Sequence, residues 1–198
     1  MSEPWIGPHF ATTRLLLLGE SAYSWVEDSE LHHPSPKHCT ENVEWVVNDF
    51  AACVRAGPFL PKLSRALTGE YSPTRERLRF VWDRVAYTNY VTQSVGTGAG
   101  IRPSEEMWQK AYEDFPQLLA KIQPQRVIVL GREMWSRMPE ADLHITADTQ
   151  GYKLPSGGLC MCWAVGQRGV SWEELAAIVH FTHANELQGE ERPAYATP

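Results

Sequence analysis

Residues 14–25, Arg-Leu-Leu-Leu-Leu-Gly-Glu-Ser-Ala-Tyr-Ser-Trp, decide the fold. Four consecutive leucines that end at a glycine predict a short strand buried on both faces, as in parallel sheets. Gly19 allows the backbone to turn sharply, so Glu20, Ser21 and Tyr23 follow the carboxyl end of the strand. Ligands of open α/β sheets bind at that edge. The stretch therefore predicts a core strand with a candidate site beside it. The alternative is a core strand followed by an ordinary polar turn.

Strands alternate with helices along the rest of the chain. Apolar, β-rich runs predict three more core strands, at residues 85–91, 126–131 and 159–166. Apolar residues at helical spacing predict six helices, at residues 40–54, 61–67, 72–82, 103–122, 133–138 and 172–177. Thr40 and Ser104 are the expected N-caps of two of these helices. The apolar residues 178–182 either end the last helix or form a final strand.

This alternation predicts an α/β fold and a single domain over all 198 residues. We expect a three-layer α/β/α sandwich around a central, mainly parallel four-stranded sheet. Residues 1–13 are expected to form an N-terminal arm, because prolines and a glycine interrupt regular structure there. Residues 190–198 are expected to form a polar C-terminal tail.

Composition narrows the class of protein. A hydrophobic fraction of 43% is sufficient for one well-buried domain, and a net charge of −6 argues against a general nucleic-acid coat protein but not against a local basic groove. The sequence has no signal-peptide pattern and no apolar run of the roughly 18–20 residues that cross a bilayer. We therefore expect a soluble, cytoplasmic monomer without a membrane partner.

Cysteine and histidine usage predicts neither disulfides nor a metal site. The four cysteines, at positions 39, 53, 160 and 162, are expected to be reduced and packed, with the last two on one face of a strand. Three histidines and Cys39 lie in the polar stretch 27–40, but their spacing fits no standard zinc pattern. We interpret this stretch as a mobile active-site loop, and we expect no metal and no cofactor.

Three polar groups follow apolar runs and are candidates for a common site. They are Glu20 to Tyr23, Asn89 with Tyr90, and His183 to Asn185. Because the carboxyl ends of parallel strands meet at one edge, these groups can converge although they are far apart in sequence. Arg102 is a candidate phosphate contact or a solvated arginine.

The order of motifs resembles the uracil-DNA glycosylase superfamily over roughly residues 14–185. The motifs are Leu-Leu-Gly-Glu-Ser-Ala-Tyr at 17–23, Tyr-Thr-Asn-Tyr-Val at 87–91, Pro-Ser-Glu-Glu-Met-Trp at 103–108, Leu-Gly-Arg-Glu-Met-Trp at 130–135 and Thr-His-Ala-Asn at 182–185. The resemblance implies a DNA glycosylase-like protein whose partner is DNA that contains a modified base.

The resemblance also implies roles for individual residues. Glu20 and Tyr23 match the first motif, which supplies a carboxylate and a tyrosine that shields the pocket. Asn89 matches the asparagine that reads the edge of a flipped base, since an amide offers both a donor and an acceptor. His183 matches a late histidine that stabilises the departing base, and Asn185 belongs to the same DNA-contacting motif. Trp25 is a candidate for stacking on a base, with a core role as its alternative.

The sequence departs from the family at the residues that matter most for catalysis. Ser21 stands where the uracil-specific branch has an aspartate, Ser24 stands where it has a histidine, and Ala184-Asn185 replaces Pro-Ser. A serine cannot supply the negative charge that stabilises an oxocarbenium-like centre. Any hydrolysis of the N-glycosidic bond must therefore use Glu20, another carboxylate of residues 27–30 or stabilisation of the leaving group.

Two alternatives to a glycosylase stay open. The first is a catalytically inactive module that binds a base or nucleotide on the same scaffold, which the missing aspartate suggests. The second is an ester hydrolase in which Ser21 is the nucleophile and His183 or His144 is the base. The first motif lacks the Gly-x-Ser-x-Gly pattern of a nucleophile elbow.

Overall fold

The fold is described from a computed structural model, which covers residues 2–27, 29–98, 100–166 and 170–183. Ten strands occur in these residues: β1 (Trp5–Ile6), β2 (Leu15–Gly19), β3 (Ala22–Glu27), β4 (Glu30–His32), β5 (Val85–Asn89), β6 (Ser94–Thr97), β7 (Arg126–Leu130), β8 (Leu143–Thr146), β9 (Thr149–Lys153) and β10 (Leu159–Val165). Eight helices accompany them: α1 (Phe10–Thr13), α2 (His38–Asn48), α3 (Phe50–Ala56), α4 (Phe59–Thr68), α5 (Arg75–Trp82), α6 (Glu105–Ile122), α7 (Arg132–Ser136) and α8 (Trp172–His183).

Seven strands form one mixed sheet in the order β1-β5-β2-β7-β10-β9-β8. The four strands predicted from apolar runs, β5, β2, β7 and β10, are adjacent and parallel. The prediction of a four-stranded sheet is nevertheless wrong, because β1, β9 and β8 extend it with antiparallel pairs. These edge strands lack the signal of a buried strand: β1 has two residues, and every residue of β8 is exposed.

The leucine run fixes the middle of the sheet. All four leucines of β2 are fully buried, because β5 and β7 flank the strand and helices cover both faces of the sheet. Leu15 and Leu17 face a core that α2, α4, α5 and α8 share, whereas Leu16 and Leu18 face a core built on α6. Burial of each leucine contributes about 1.5–3 kcal/mol. The α/β class and the buried central strand are therefore confirmed.

Helix boundaries follow local capping chemistry. Ser104 Oγ accepts from Met107 N at 3.3 Å, so the predicted cap of α6 is confirmed. The prediction of one helix at 40–54 is wrong, because Asp49 ends α2 and its carboxylate accepts from Ala52 N at 3.0 Å to cap α3. Thr40 is inside α2 and caps nothing. Asp favours such caps over helix interiors because its short side chain competes for backbone N–H groups.

Two other segments differ from expectation. The polar stretch after residue 27 is not only a loop: β3 and β4 pair as antiparallel strands, and β3 also pairs with β6 in a small three-stranded sheet. Residues 178–182 continue α8 and form no strand. None of the helices described is both long enough and apolar enough to cross a membrane.

Candidate functional site

The ends of β2 and β5 bring two of the predicted polar groups together. Gly19 pairs with Asn89 in the parallel register of these strands. Beyond the strands, Tyr90 N donates to Gly19 O and Val91 N donates to Glu20 O, both at 2.8 Å. A side chain could not be accommodated at Gly19, because a Cβ there would lie 2.5 Å from Asn89 Oδ1. Glu20 and Asn89 therefore lie at the same carboxyl edge, as the sequence predicts.

The amide of Asn89 is buried and bonded to a histidine that sequence reasoning did not single out. Asn89 is 3% exposed, and its Nδ2 donates to His38 Nε2 at 3.0 Å. His38 Nδ1 in turn donates to Ser35 O at 3.1 Å. Both bonds are satisfied by the neutral imidazole with its proton on Nδ1. Burial lowers the pKa of His38, which favours this neutral form.

Glu20 is held by an arginine. Its side chain is 7% exposed, and Arg102 Nη2 donates to Glu20 Oε2 at 2.7 Å. The same Arg102 nitrogen also bonds to Glu133 Oε2 on α7. Arg102, the candidate phosphate contact, thus spans two carboxylates at the edge of the sheet. One oxygen of the Glu20 carboxylate, a candidate catalytic group, is therefore already paired with the Arg102 guanidinium.

Tyr23 and Trp25 lie on the open face of the small sheet. They are 46% and 44% exposed, so a core role for either is excluded. Trp25 stacks on His32, its cross-strand partner, with ring centroids 5.6 Å apart. The residue between them, Ser24, points the other way and bonds to His33 Nδ1 at 2.8 Å and to Ser94 Oγ at 2.9 Å. Ser21 is half-buried and directly follows Glu20.

A cavity of about 250 Å³ opens beside these residues, and we call it the edge cavity. Three segments and the N-terminal Ser2 line it: Ala22 of β3, residues 34–36 with His38, and residues 92–94 after β5. No carboxylate belongs to this lining within the described chain. Gln93 and Ser94, which the sequence analysis does not single out, also line the cavity, and their side chains carry an amide and a hydroxyl.

Most of the late motif lies outside the residues that the structure describes. His183 is the last residue of α8, in line with the first of the two alternatives for the apolar run before it, and its side chain lies outside the described part of the structure. Asn185 lies outside the described residues altogether. One turn before His183, His180 interacts with the backbone of Ala66 in α4.

His144 cannot serve as a base for Ser21. It belongs to β8, and β7, β10 and β9 separate that strand from β2 in the sheet. With neighbouring strands about 4.8 Å apart, four strand spacings put the two residues roughly 19 Å apart across the sheet. The ester-hydrolase alternative thereby loses one of its two candidate bases.

The histidines of the stretch 27–40 have separate partners. His32 stacks on Trp25, His33 bonds to Ser24, and His38 bonds to Asn89 and Ser35. Among the residues that the structure describes, no three histidine, cysteine or acidic side chains are grouped so as to hold a metal ion. Burial raises the pKa of Cys39 to about 12, which keeps this thiol protonated.

Comparison of the chain with protein-family models gave no match, and comparison with curated proteins gave none either. Function is therefore inferred from the site itself: a small polar cavity, a buried histidine–asparagine pair beside it and a paired carboxylate at the same edge.

Proposed function

We propose that this protein binds a flipped, deaminated base of DNA in the edge cavity and hydrolyses its N-glycosidic bond, as a uracil-DNA glycosylase-like protein. One observation carries the proposal: neutral hydrogen-bonding groups line a small cavity at the carboxyl edge of the parallel strands, and one of them is His38, the partner of Asn89. That edge is where open α/β sheets bind their ligands.

The size of the edge cavity suits a single heterocycle. Its volume of about 250 Å³ falls below the roughly 300–1,000 Å³ of pockets that hold drug-sized ligands. A base that enters alone must be extruded from its stack, as in enzymes that act on bases. Tyr23 and Trp25 are exposed on the strand that begins at the cavity wall, and their rings can stack on neighbouring bases.

Gln93 is the residue best placed to read the edge of the base. Gln93 lines the cavity, and a glutamine amide can donate and accept at the same time, as a base edge requires. Asn89, the residue that the family resemblance implies for this task, has its Nδ2 directed at His38 and is absent from the described lining. Since both nitrogens of His38 are also engaged, we assign the His38–Asn89 pair to holding the wall in place.

Base binding without hydrolysis is a second candidate, and two observations favour it. The described wall of the edge cavity has no carboxylate that could activate water, and Glu20 is paired with Arg102. Hydrolysis by the first candidate would need Glu20 to activate water while wall donors stabilise the departing base.

A glycosylase assay distinguishes the two candidates. Labelled single- and double-stranded oligonucleotides would carry uracil, hypoxanthine, xanthine or mismatched thymine, and the wild type would be compared with Ser21→Asp and Glu20→Gln. Cleavage by the wild type that Glu20→Gln removes supports the enzyme. Cleavage only by Ser21→Asp supports a binding module whose carboxylate is missing. If the wild type and both variants leave every strand uncleaved, and none of them binds a modified strand more tightly than its unmodified parent, the proposed function is wrong.

A further inference from the structure

A second and larger cavity lies away from the edge cavity, and we call it the α4–α8 groove. Its volume is about 540 Å³, and it lies between the α3–α4 connection and the start of α8. Arg55, Lys62 and Arg65 line one side, and Ser171 and Trp172 line the other. The groove therefore combines three cationic side chains with an indole ring, in a chain whose net charge is −6.

Arg65 is held in place by groups that leave its charge intact. Its Nε donates to Tyr71 O at 2.8 Å, and its guanidinium lies 4.2 Å from the ring centroid of Tyr71 and 5.6 Å from that of Phe50. Stacking on aromatic rings orients a guanidinium without neutralising it. The side chain is thus positioned to meet an anion with little loss of conformational freedom.

Two arginines of α5, by comparison, are paired with acidic side chains. Arg79 bonds to Glu44 at 2.7 Å and lies 3.7 Å from Asp83, and Arg77 lies 3.5 Å from Glu70. By contrast, within the described chain neither Arg55 nor Arg65 has a carboxylate at ion-pair distance. The positive charges of Arg55 and Arg65 therefore remain for an external anion.

An acid does lie near the mouth of the groove, but the start of α8 uses it. Glu174 Oε2 accepts from Ser171 N at 2.7 Å, and Ser171 Oγ accepts from Glu174 N at 3.1 Å. This reciprocal pair caps the helix. The N–H groups that it satisfies are engaged, so an anion in the groove would be bound by the cationic side chains.

The groove lies at the same edge of the sheet as the edge cavity. Strand β10 runs parallel to β7 and β2 and ends at Val165, and α8 begins at Trp172. Trp163, Val170 and Trp172 pack against the same core, which keeps the start of α8 close to the carboxyl end of β10.

We propose that the α4–α8 groove binds the phosphodiester backbone of the strand whose base occupies the edge cavity. The proposal deepens the function proposed above and rests on it for the identity of the strand. Arg55 is near the end of α3 and Arg65 is on α4, so cations from two successive helices line the groove. Cations on two helices can contact more than one phosphate, which matches a nucleic-acid backbone with its regularly repeating phosphates better than it matches a single anion.

Salt dependence of oligonucleotide binding tests this proposal. A fluorescein-labelled strand without any modified base would be titrated by fluorescence anisotropy between 50 and 200 mM salt. Arg55→Gln and Arg65→Gln are each expected to weaken binding several-fold and to lower the slope of log K against log salt by about 0.7, the value for one lost contact with a single strand. Arg65→Lys, which keeps the charge, should keep the slope of the wild type, and Arg55→Gln carries the test if Arg65→Gln fails to fold.

Arg75→Gln is the matched control, because it removes one positive charge from α5, where Arg75 bonds to Asn48. Its slope should equal that of the wild type. Equal losses in Arg55→Gln and Arg75→Gln, or unchanged slopes in both groove variants, would overturn the proposal. The proposal would also be overturned if the groove bound a mononucleotide while the groove variants left the oligonucleotide slope unchanged.

The two proposals fail in different ways. If the groove variants change the slope but no strand with a deaminated base is preferred, the backbone site stands and the proposed function falls. If that preference is present while the slopes of the groove variants match the wild type, the proposed function stands and the groove proposal falls.

Discussion

Asn89 Nδ2 lies 3.0 Å from His38 Nε2, and this bond joins the end of β5 to the first residue of α2. This hydrogen bond forms only while His38 is neutral, because a protonated imidazole has no acceptor to offer Asn89. The wall of the edge cavity therefore depends on the protonation state of one buried histidine.

We expect stability to fall between pH 7 and pH 5. The pKa of His38 is lowered by burial in the folded state, so below the ordinary pKa of 6.5 the unfolded chain binds more protons than the folded one. The stabilisation from neutral His38 is complete above about pH 6.5 and is lost as the pH falls towards the folded pKa. Urea denaturation at a series of pH values measures this loss.

Two variants separate the histidines that titrate in this range. Burial also lowers the pKa of His180, so His180 contributes with the same sign. His38→Gln, whose amide oxygen can still accept from Asn89, should remove part of the pH dependence, and His180→Gln should remove a different part. A pH profile that His38→Gln leaves unchanged would mean that His38 is not the buried neutral group described.

Gly19→Ala should displace the side chain of Asn89 more than it displaces the backbone. The added methyl would lie 2.5 Å from Asn89 Oδ1, and Asn89 cannot move aside without breaking its bond to His38. We expect a loss of about 1–3 kcal/mol in the free energy of unfolding, as for other overpacked cores. Gly57→Ala is the control, because nothing lies within 4 Å of a Cβ at Gly57. Equal stability of Gly19→Ala and the wild type would refute the close approach of these two residues.

Arg102 should matter to stability through Glu20. Arg102→Gln removes the cation from a carboxylate that is 7% exposed, and we expect a loss of about 1–3 kcal/mol. Glu133→Gln is the matched control, because Glu133 is 43% exposed and should cost less than about 1 kcal/mol. In the double variant Arg102→Gln/Glu20→Gln, part of the loss should be recovered. Independent, additive losses for Arg102 and Glu20 would contradict the coupling.

The four thiols should be unreactive in the native protein. All four cysteines are free and buried, and burial raises the pKa of Cys39 to about 12 and that of Cys53 to about 11. A thiol reagent such as DTNB at pH 8 should label none of them rapidly in the folded protein and all four in denaturant, since only the accessible thiolate reacts. Rapid labelling of one thiol without denaturant would contradict the burial of that cysteine.

The parallel centre of the sheet could be predicted because its signal is local. Four leucines in a row, and three comparable apolar runs, can only be buried from both sides. The cap at Ser104 was equally predictable, since a serine before a helical apolar pattern satisfies free N–H groups. The edge strands β8 and β9 could not be predicted, because their residues pair in the sheet with little apolar periodicity.

The candidate site was predictable only in part. Glu20 directly follows β2 and Asn89 ends β5, so their convergence could be expected from topology. The role of His38 depends on α2 placing its first residue against Asn89, and the position of Gln93 depends on the path of the chain after β5. These are tertiary contacts between segments about 50 residues or more apart in the chain, and no local pattern specifies them.

The central claim is that the edge cavity recognises a deaminated base, and an affinity ratio tests it most directly. Binding of a single-stranded oligonucleotide with one uracil would be measured against the same strand with cytosine, for the wild type and for Gln93→Ala. We predict a preference for the uracil strand of about 1–3 kcal/mol, roughly fivefold to 160-fold, as for a well-formed bidentate contact. Gln93→Ala should lose that preference and keep its affinity for the cytosine strand. Equal affinity of the wild type for both strands would contradict the claim.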